Sequence, residues 1–152
     1  MGLDSYLWKK TATDTWSPDG LMKYDVTVTS DGKPVEHVDP SKVCYVIEEV
    51  GYWRKANQIH NWFVQNVQNG VDDCGSYYVE KEKLKELLDV CKRVVDDPSL
   101  AESLLPSLRG FFFGGDEYDE WYMQQLKYTI ELLEKILKRE DRGVYYEYES
   151  SW

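Results

Sequence analysis

The sequence predicts an α+β domain: N-terminal antiparallel strands and a hairpin, with three main helices packed on a small sheet. Two observations carry this. The first fifty residues alternate apolar and polar side chains at period two around an Asp31-Gly32 pair. After residue 55 the apolar spacing shifts to that of a helix and returns in two further long segments. A chain of 152 residues with 42% apolar content closes one hydrophobic core, so the domain is read as spanning 1–152.

Taken in order, "SYLWKKT" is a first strand, and "YDVTVTS-DG-KPVEHV" is a hairpin turning on Asp31-Gly32. "KVCYVIEEV" reads as a more buried strand. Over 54–67 Ala56, Ile59, Phe63 and Val67 fall on one helical face, and Gly70 ends that helix. "GSYYVE" is a short strand. "EKLKELLDVCKRVVDD" is an amphipathic helix with Leu84, Leu87, Leu88, Cys91, Val94 and Val95 inward. "DPSLAESLLP" allows one or two helical turns between prolines. A last long helix is predicted from Asp116, its cap, to Arg139, with Tyr122, Leu126, Ile130, Leu133 and Leu137 as its core stripe. "GVYYEYESSW" closes the chain as a strand.

Composition excludes several classes. Six Trp, twelve Tyr and four Phe set the chain apart from disordered sequences. No run approaches the roughly 18 apolar residues of a membrane span. "MGLDSYLWKK" has no apolar segment of signal-peptide length, which predicts a cytoplasmic protein. Cys44, Cys74 and Cys91 lack CxxC spacing, so neither a disulfide framework nor a zinc site is expected. Cys44 and Cys91 read as small core hydrophobes; Cys74, in "DDCGS", is the candidate reactive thiol.

A net charge of −10 disfavours nucleic-acid binding, which depends on Lys and Arg neutralising phosphates. The distribution says more than the total. Residues 50–71 contain no acid, only Arg54 and Lys55, and 103–115 form a second acid-free window with Arg109 and "GFFFGG". An anion meets least repulsion there.

"GYWRKANQIHNWF" therefore reads as a binding segment. Tyr52 and Trp53 precede a helix whose N-terminal N–H groups, with Arg54 and Lys55, suit a phosphate or carboxylate. Asn57 and His60 lie on one flank of that helix and offer polar edges. Structural readings stand beside these: Trp53 as a core aromatic, Arg54 and Lys55 as surface cations, His60 as a satisfied core-edge histidine. In "FFFGGDEYDEWY", Phe113, Gly114 and Gly115 form a loop, and Glu117 or Tyr118 could hydrogen-bond a ligand. The loop has neither a P-loop nor a Rossmann pattern. Asp72-Asp73 reads as a turn pair, with cation ligation as the alternative. No nucleophile motif is present, and neither a cofactor nor a metal site is predicted.

The motifs "MGLD-x-YL", "GYWRKAN-x-IH-x-WFV", "DDCG-x-YYV" and "FFFGG-x-EYDE-x-Y" resemble a family of small proteins of bacteriophages and prophages, over about residues 1–139. Ser5 departs from the hydrophobic Met expected there, and the hairpin from "TWSPDG" to "HVDP" is insertion-like. The resemblance implies a setting, that of a phage-type accessory protein in a bacterial cytoplasm. Such proteins often counter host defence, by sequestering a nucleotide second messenger or by blocking a defence protein directly, and the aromatic planes and cations of this chain favour the first. Arg54 and Lys55 would then pair phosphate, Trp53 and Tyr118 would stack, and Asn57 and His60 would read polar edges. A homo-oligomer completing the pocket is compatible with this, although no residue specifies one; neither a membrane nor a nucleic acid is an expected partner.

Two other classes compete. An acidic inhibitor of a host defence protein would dock through Glu117, Asp119, Glu120, Glu131 and Glu134, imitating DNA charge. A nucleotide-processing enzyme would use His60 as base, with Asp73 or Glu117 assisting a metal.

Overall fold

The computed structural model describes residues 2–18, 20–108 and 117–152. They form an α+β fold. A four-stranded antiparallel sheet carries its helices on one face and leaves much of the other open.

Strand β1 (Asp4–Ala12) leads into two small hairpins, β2 (Asp14–Ser17) with β3 (Gly20–Lys23) and β4 (Thr29–Ser30) with β5 (Lys33–Pro34). The long strand β6 (Tyr45–Arg54) returns along β1. Helix α1 (Asn57–Asn66), strand β7 (Ser76–Val79), helix α2 (Lys81–Asp96) and the short α3 (Ala101–Leu104) follow. Helix α4 (Glu120–Leu137) and strand β8 (Val144–Ser151) complete the fold. The sheet order is β6-β1-β8-β7, so the first and last strands meet at its centre.

Alternation sets the two faces of the sheet. Leu7, Trp53, Val79, Tyr146 and Tyr148 point into the core. There they meet Ile59 and Phe63 of α1, Leu84, Leu87, Cys91 and Val94 of α2, and Tyr122, Leu126 and Leu133 of α4. Phe63 stacks on Tyr148 with ring centroids 3.9 Å apart and planes 9° from parallel. Burial pushes the Cys91 thiol up to about 12.

Five expectations are corrected. The first half of β6 is exposed because β6 is an edge strand, paired only with β1. Cys44, just before it, is exposed for the same reason. The Asp31-Gly32 turn forms, with φ of 52° and 75°, but only two residue pairs flank it, because no core lies beneath. Helix α4 begins at Glu120, capped by Asp119, whose carboxylate accepts the Tyr122 N–H at 3.0 Å. The expected cap, Asp116, lies outside the described residues. Helix α1 begins only at Asn57: Arg54 ends β6, and Lys55 turns the corner at φ 55°. No helix among the described residues is long and apolar enough to cross a membrane.

Candidate functional site

Strand alternation at the end of β6 decides what the central motif presents. Gly51 and Trp53 face inward, Tyr52 and Arg54 outward. Gly51 is required there: a Cβ would sit 3.0 Å from the Trp53 ring and 3.2 Å from the Leu7 Cβ. Trp53 is 1% exposed and donates its indole N–H to Thr129 Oγ1 at 2.9 Å, so it is a core residue and offers no face to a ligand.

Lys55 then takes the left-handed conformation, and its N–H donates to the Leu3 carbonyl at 2.7 Å. This bond fixes the corner between strand and helix. The Lys55 side chain is exposed and lies outside the cavity described below.

Along the free edge of β6, at its C-terminal end, lies the first half of α4. Tyr52, Arg54, Trp121, Gln124, Gln125 and Tyr128 line an open cavity of about 310 Å³. Tyr128 docks the helix on the strand by accepting the Tyr52 N–H at 3.1 Å, a backbone donor pointing away from the sheet. The Trp121 indole is 56% exposed at the cavity mouth. The two segments singled out in the sequence thus meet, through Tyr52 and Arg54 on one side and Trp121 on the other.

The polar centre is Asp4. Its carboxylate accepts the Tyr52 hydroxyl at 2.6 Å and the Arg54 Nη1 at 3.1 and 3.3 Å. That hydrogen bond to Asp4 raises the Tyr52 phenol above its ordinary pKa. Contact with Tyr52 and the Asp4 charge raise Arg54, so the guanidinium stays cationic throughout.

Several other predicted residues hold the fold. The buried Asn57 accepts the Leu108 N–H at 2.9 Å, anchoring the segment after α3 to the start of α1. His60 is fully buried between Tyr148 and Asp72, with both ring nitrogens engaged, so it cannot reach a substrate as a base. Asp73 accepts the Gly75 N–H and the Tyr77 hydroxyl in a local turn. No group of three or more potential metal ligands occurs among the described residues. Tyr118 packs edge-on to Tyr122, and its hydroxyl accepts the Ser107 N–H at 3.3 Å. Glu117 is exposed; Phe113, Gly114 and Gly115 lie outside the described residues.

The acidic stripe considered for protein mimicry is partly consumed. Asp119 caps α4, and Glu134 pairs with Lys92 at 2.8 Å.

Sequence reasoning missed Trp121, Gln125, Tyr128 and Asp4. The signal existed: 121, 125 and 128 follow one helical stripe beside the core stripe through 122, 126 and 133. The cavity has the means to stack a planar ring, pair one anionic group and hydrogen-bond a polar edge. No protein-family model, curated protein or solved structure matches the chain.

Proposed function

We propose that the protein captures a small anionic, base-containing molecule, nucleotide-like in chemistry, in the cleft between the end of β6 and the start of α4, and that it does so without turnover. The supporting observation is that the Arg54 guanidinium lines the same 310 Å³ cavity as the indole of Trp121 and the phenols of Tyr52 and Tyr128. A phosphate would exchange with Asp4 on Arg54, a base would stack on Trp121 or Tyr128, and Gln124 would meet a polar edge. In the phage-type setting that the sequence motifs imply, the ligand would be a host immune second messenger, and capture would remove it from its receptor.

The test is recovery after denaturation. Protein is mixed with a panel of nucleotide signals, freed of unbound ligand and heat-denatured, and the released molecule is identified. An intact ligand supports capture, a chemically altered one would establish an enzyme, and an empty supernatant for every member refutes the reading. Arg54→Glu and Trp121→Ala should each abolish recovery. Lys55→Glu, whose side chain lies outside the cavity, should leave it unchanged.

A further inference from the structure

Strand β6 is an edge strand whose first five residues are solvent-exposed, with Tyr45, Val46 and Ile47 at 49%, 45% and 55%. An apolar edge of this kind presents unpaired backbone groups and is a template for another strand.

Three hydrogen bonds fix which backbone groups point outward. The Thr13 N–H donates to the Cys44 carbonyl and the Lys55 N–H to the Leu3 carbonyl, so the odd-numbered residues of β1 face β6. The Ala12 N–H donates to the Gly143 carbonyl, so the even-numbered residues face β8. In the β1–β6 register Tyr45, Ile47 and Glu49 lie opposite Ala12, Lys10 and Trp8, all even. Their own N–H and C=O groups therefore point away from the sheet. Beyond the bulge at Val50 the next outward N–H is that of Tyr52, which Tyr128 already accepts. The open edge is thus a short segment, 45–49, closed at one end by α4.

We propose that this segment is the seam of a homodimer, in which β6 pairs antiparallel with β6 of a second copy about a two-fold axis at Ile47. That register sets Ile47 opposite Ile47 and Tyr45 opposite Glu49, so every outward-facing residue of one copy meets an outward-facing residue of the other. It is also the register that charge allows. Glu48 falls opposite Val46 and Glu49 opposite Tyr45, so no acid directly opposes an acid. Moving the axis to Glu48 would set the two Glu48 side chains against each other. The pairing joins the two sheets into one and covers the exposed Tyr45 and Ile47, which otherwise line an open 330 Å³ hollow on the free face beside Lys10, Tyr78, Tyr145 and Glu147. The ligand cleft lies beyond the bulge, so the dimer stands or falls independently of capture.

Light-scattering mass of the full chain, from micromolar to near-millimolar concentration, tests this. The wild type should reach twice the chain mass. Ile47→Pro removes an outward N–H that β1 does not use, and Ile47→Lys sets two like charges across the axis. Both should halve the mass while keeping the wild-type far-UV circular dichroism. Tyr45→Lys, placed beside Glu49 of the second copy, should keep the dimer. A wild type at single-chain mass throughout, a folded Ile47→Lys protein that remains dimeric, or loss of the dimer in Tyr45→Lys would each overturn the proposal.

Discussion

The His60 Nδ1 atom lies 2.8 Å from the Tyr148 hydroxyl, and both residues are fully buried. The other ring nitrogen is 3.0 Å from an Asp72 oxygen, whose fellow oxygen accepts the Trp152 indole N–H at 3.0 Å. Partner chemistry assigns the neutral ring as Nε2–H donating to the carboxylate and Nδ1 accepting from the phenol. Burial pushes the Tyr148 phenol well above its ordinary pKa, which keeps it a donor. One polar chain thus ties α1, the loop after it, the last strand and the C-terminal residue together.

Breaking that chain should cost stability rather than binding. His60→Phe keeps a planar ring but leaves the Tyr148 hydroxyl buried without its acceptor, at a cost of about 2–4 kcal/mol. Asp72→Asn still offers an acceptor and should cost less. Urea unfolding midpoints measure both. A His60→Phe protein as stable as the wild type would show that the histidine is there for another reason.

Another buried hydroxyl predicts the opposite sign. Ser150 faces Ser5 across the β1–β8 ladder, almost fully buried, and its Oγ has no hydrogen-bond partner among the described residues. An unsatisfied buried hydroxyl is a standing penalty, so Ser150→Ala should be neutral or stabilising by up to about 1 kcal/mol. The midpoint of thermal unfolding checks this, and a clear fall would contradict it.

The helices were legible because their signal is local. The stripe Leu84, Leu87, Cys91, Val94 is readable within one segment, and the structure buries those four residues. The site was less legible because its making is not local. Whether Trp53 stacks on a ligand or fills the core depends on whether Arg54 ends a strand or begins a helix. The period changes at that point, and a helix drawn back to residue 54 takes Arg54 out of the strand alternation that turns Trp53 into the core. Asp4 could not be assigned from sequence either, since only the β1–β6 register brings it beside Arg54. The exposed half of β6 misled for a related reason. An apolar run such as "CYVIEEV" has the same composition in a buried strand as on an open edge.

The open face of the sheet carries a pH-dependent tie. Glu147 accepts Lys10 Nζ at 2.8 Å and the Ser76 hydroxyl at 3.0 Å, and the lysine hydrogen bond holds its carboxyl below the ordinary glutamate range. A folded value below the unfolded one, about 4.3 for glutamate, means stability present above that pH and lost as pH falls through the depressed folded value. Lys10→Met should therefore lower stability at neutral pH by about 0.5–1 kcal/mol, and the difference should vanish in acid. Paired urea titrations at the two pH values measure it; an equal deficit at both would mean that the lysine acts through packing.

In the capture proposed above, Asp4 occupies the place that a ligand's phosphate would take. It holds Arg54 through two contacts and Tyr52 through a third, so an incoming anion must displace the carboxylate from the guanidinium. Asp4→Asn keeps the shape and an acceptor for Tyr52 while removing the competing charge. If the cleft captures an anion through Arg54, this variant should bind it more tightly, by about tenfold, roughly the worth of one charge-assisted hydrogen bond. Calorimetric titration of wild type, Asp4→Asn and Arg54→Glu with a ligand recovered from the panel decides the point. Tighter binding in the first variant and none in the second fits exchange at Arg54. Weaker binding in Asp4→Asn would mean that Asp4 positions the guanidinium rather than competing for it, and the anion would then have to bind beside the existing ion pair.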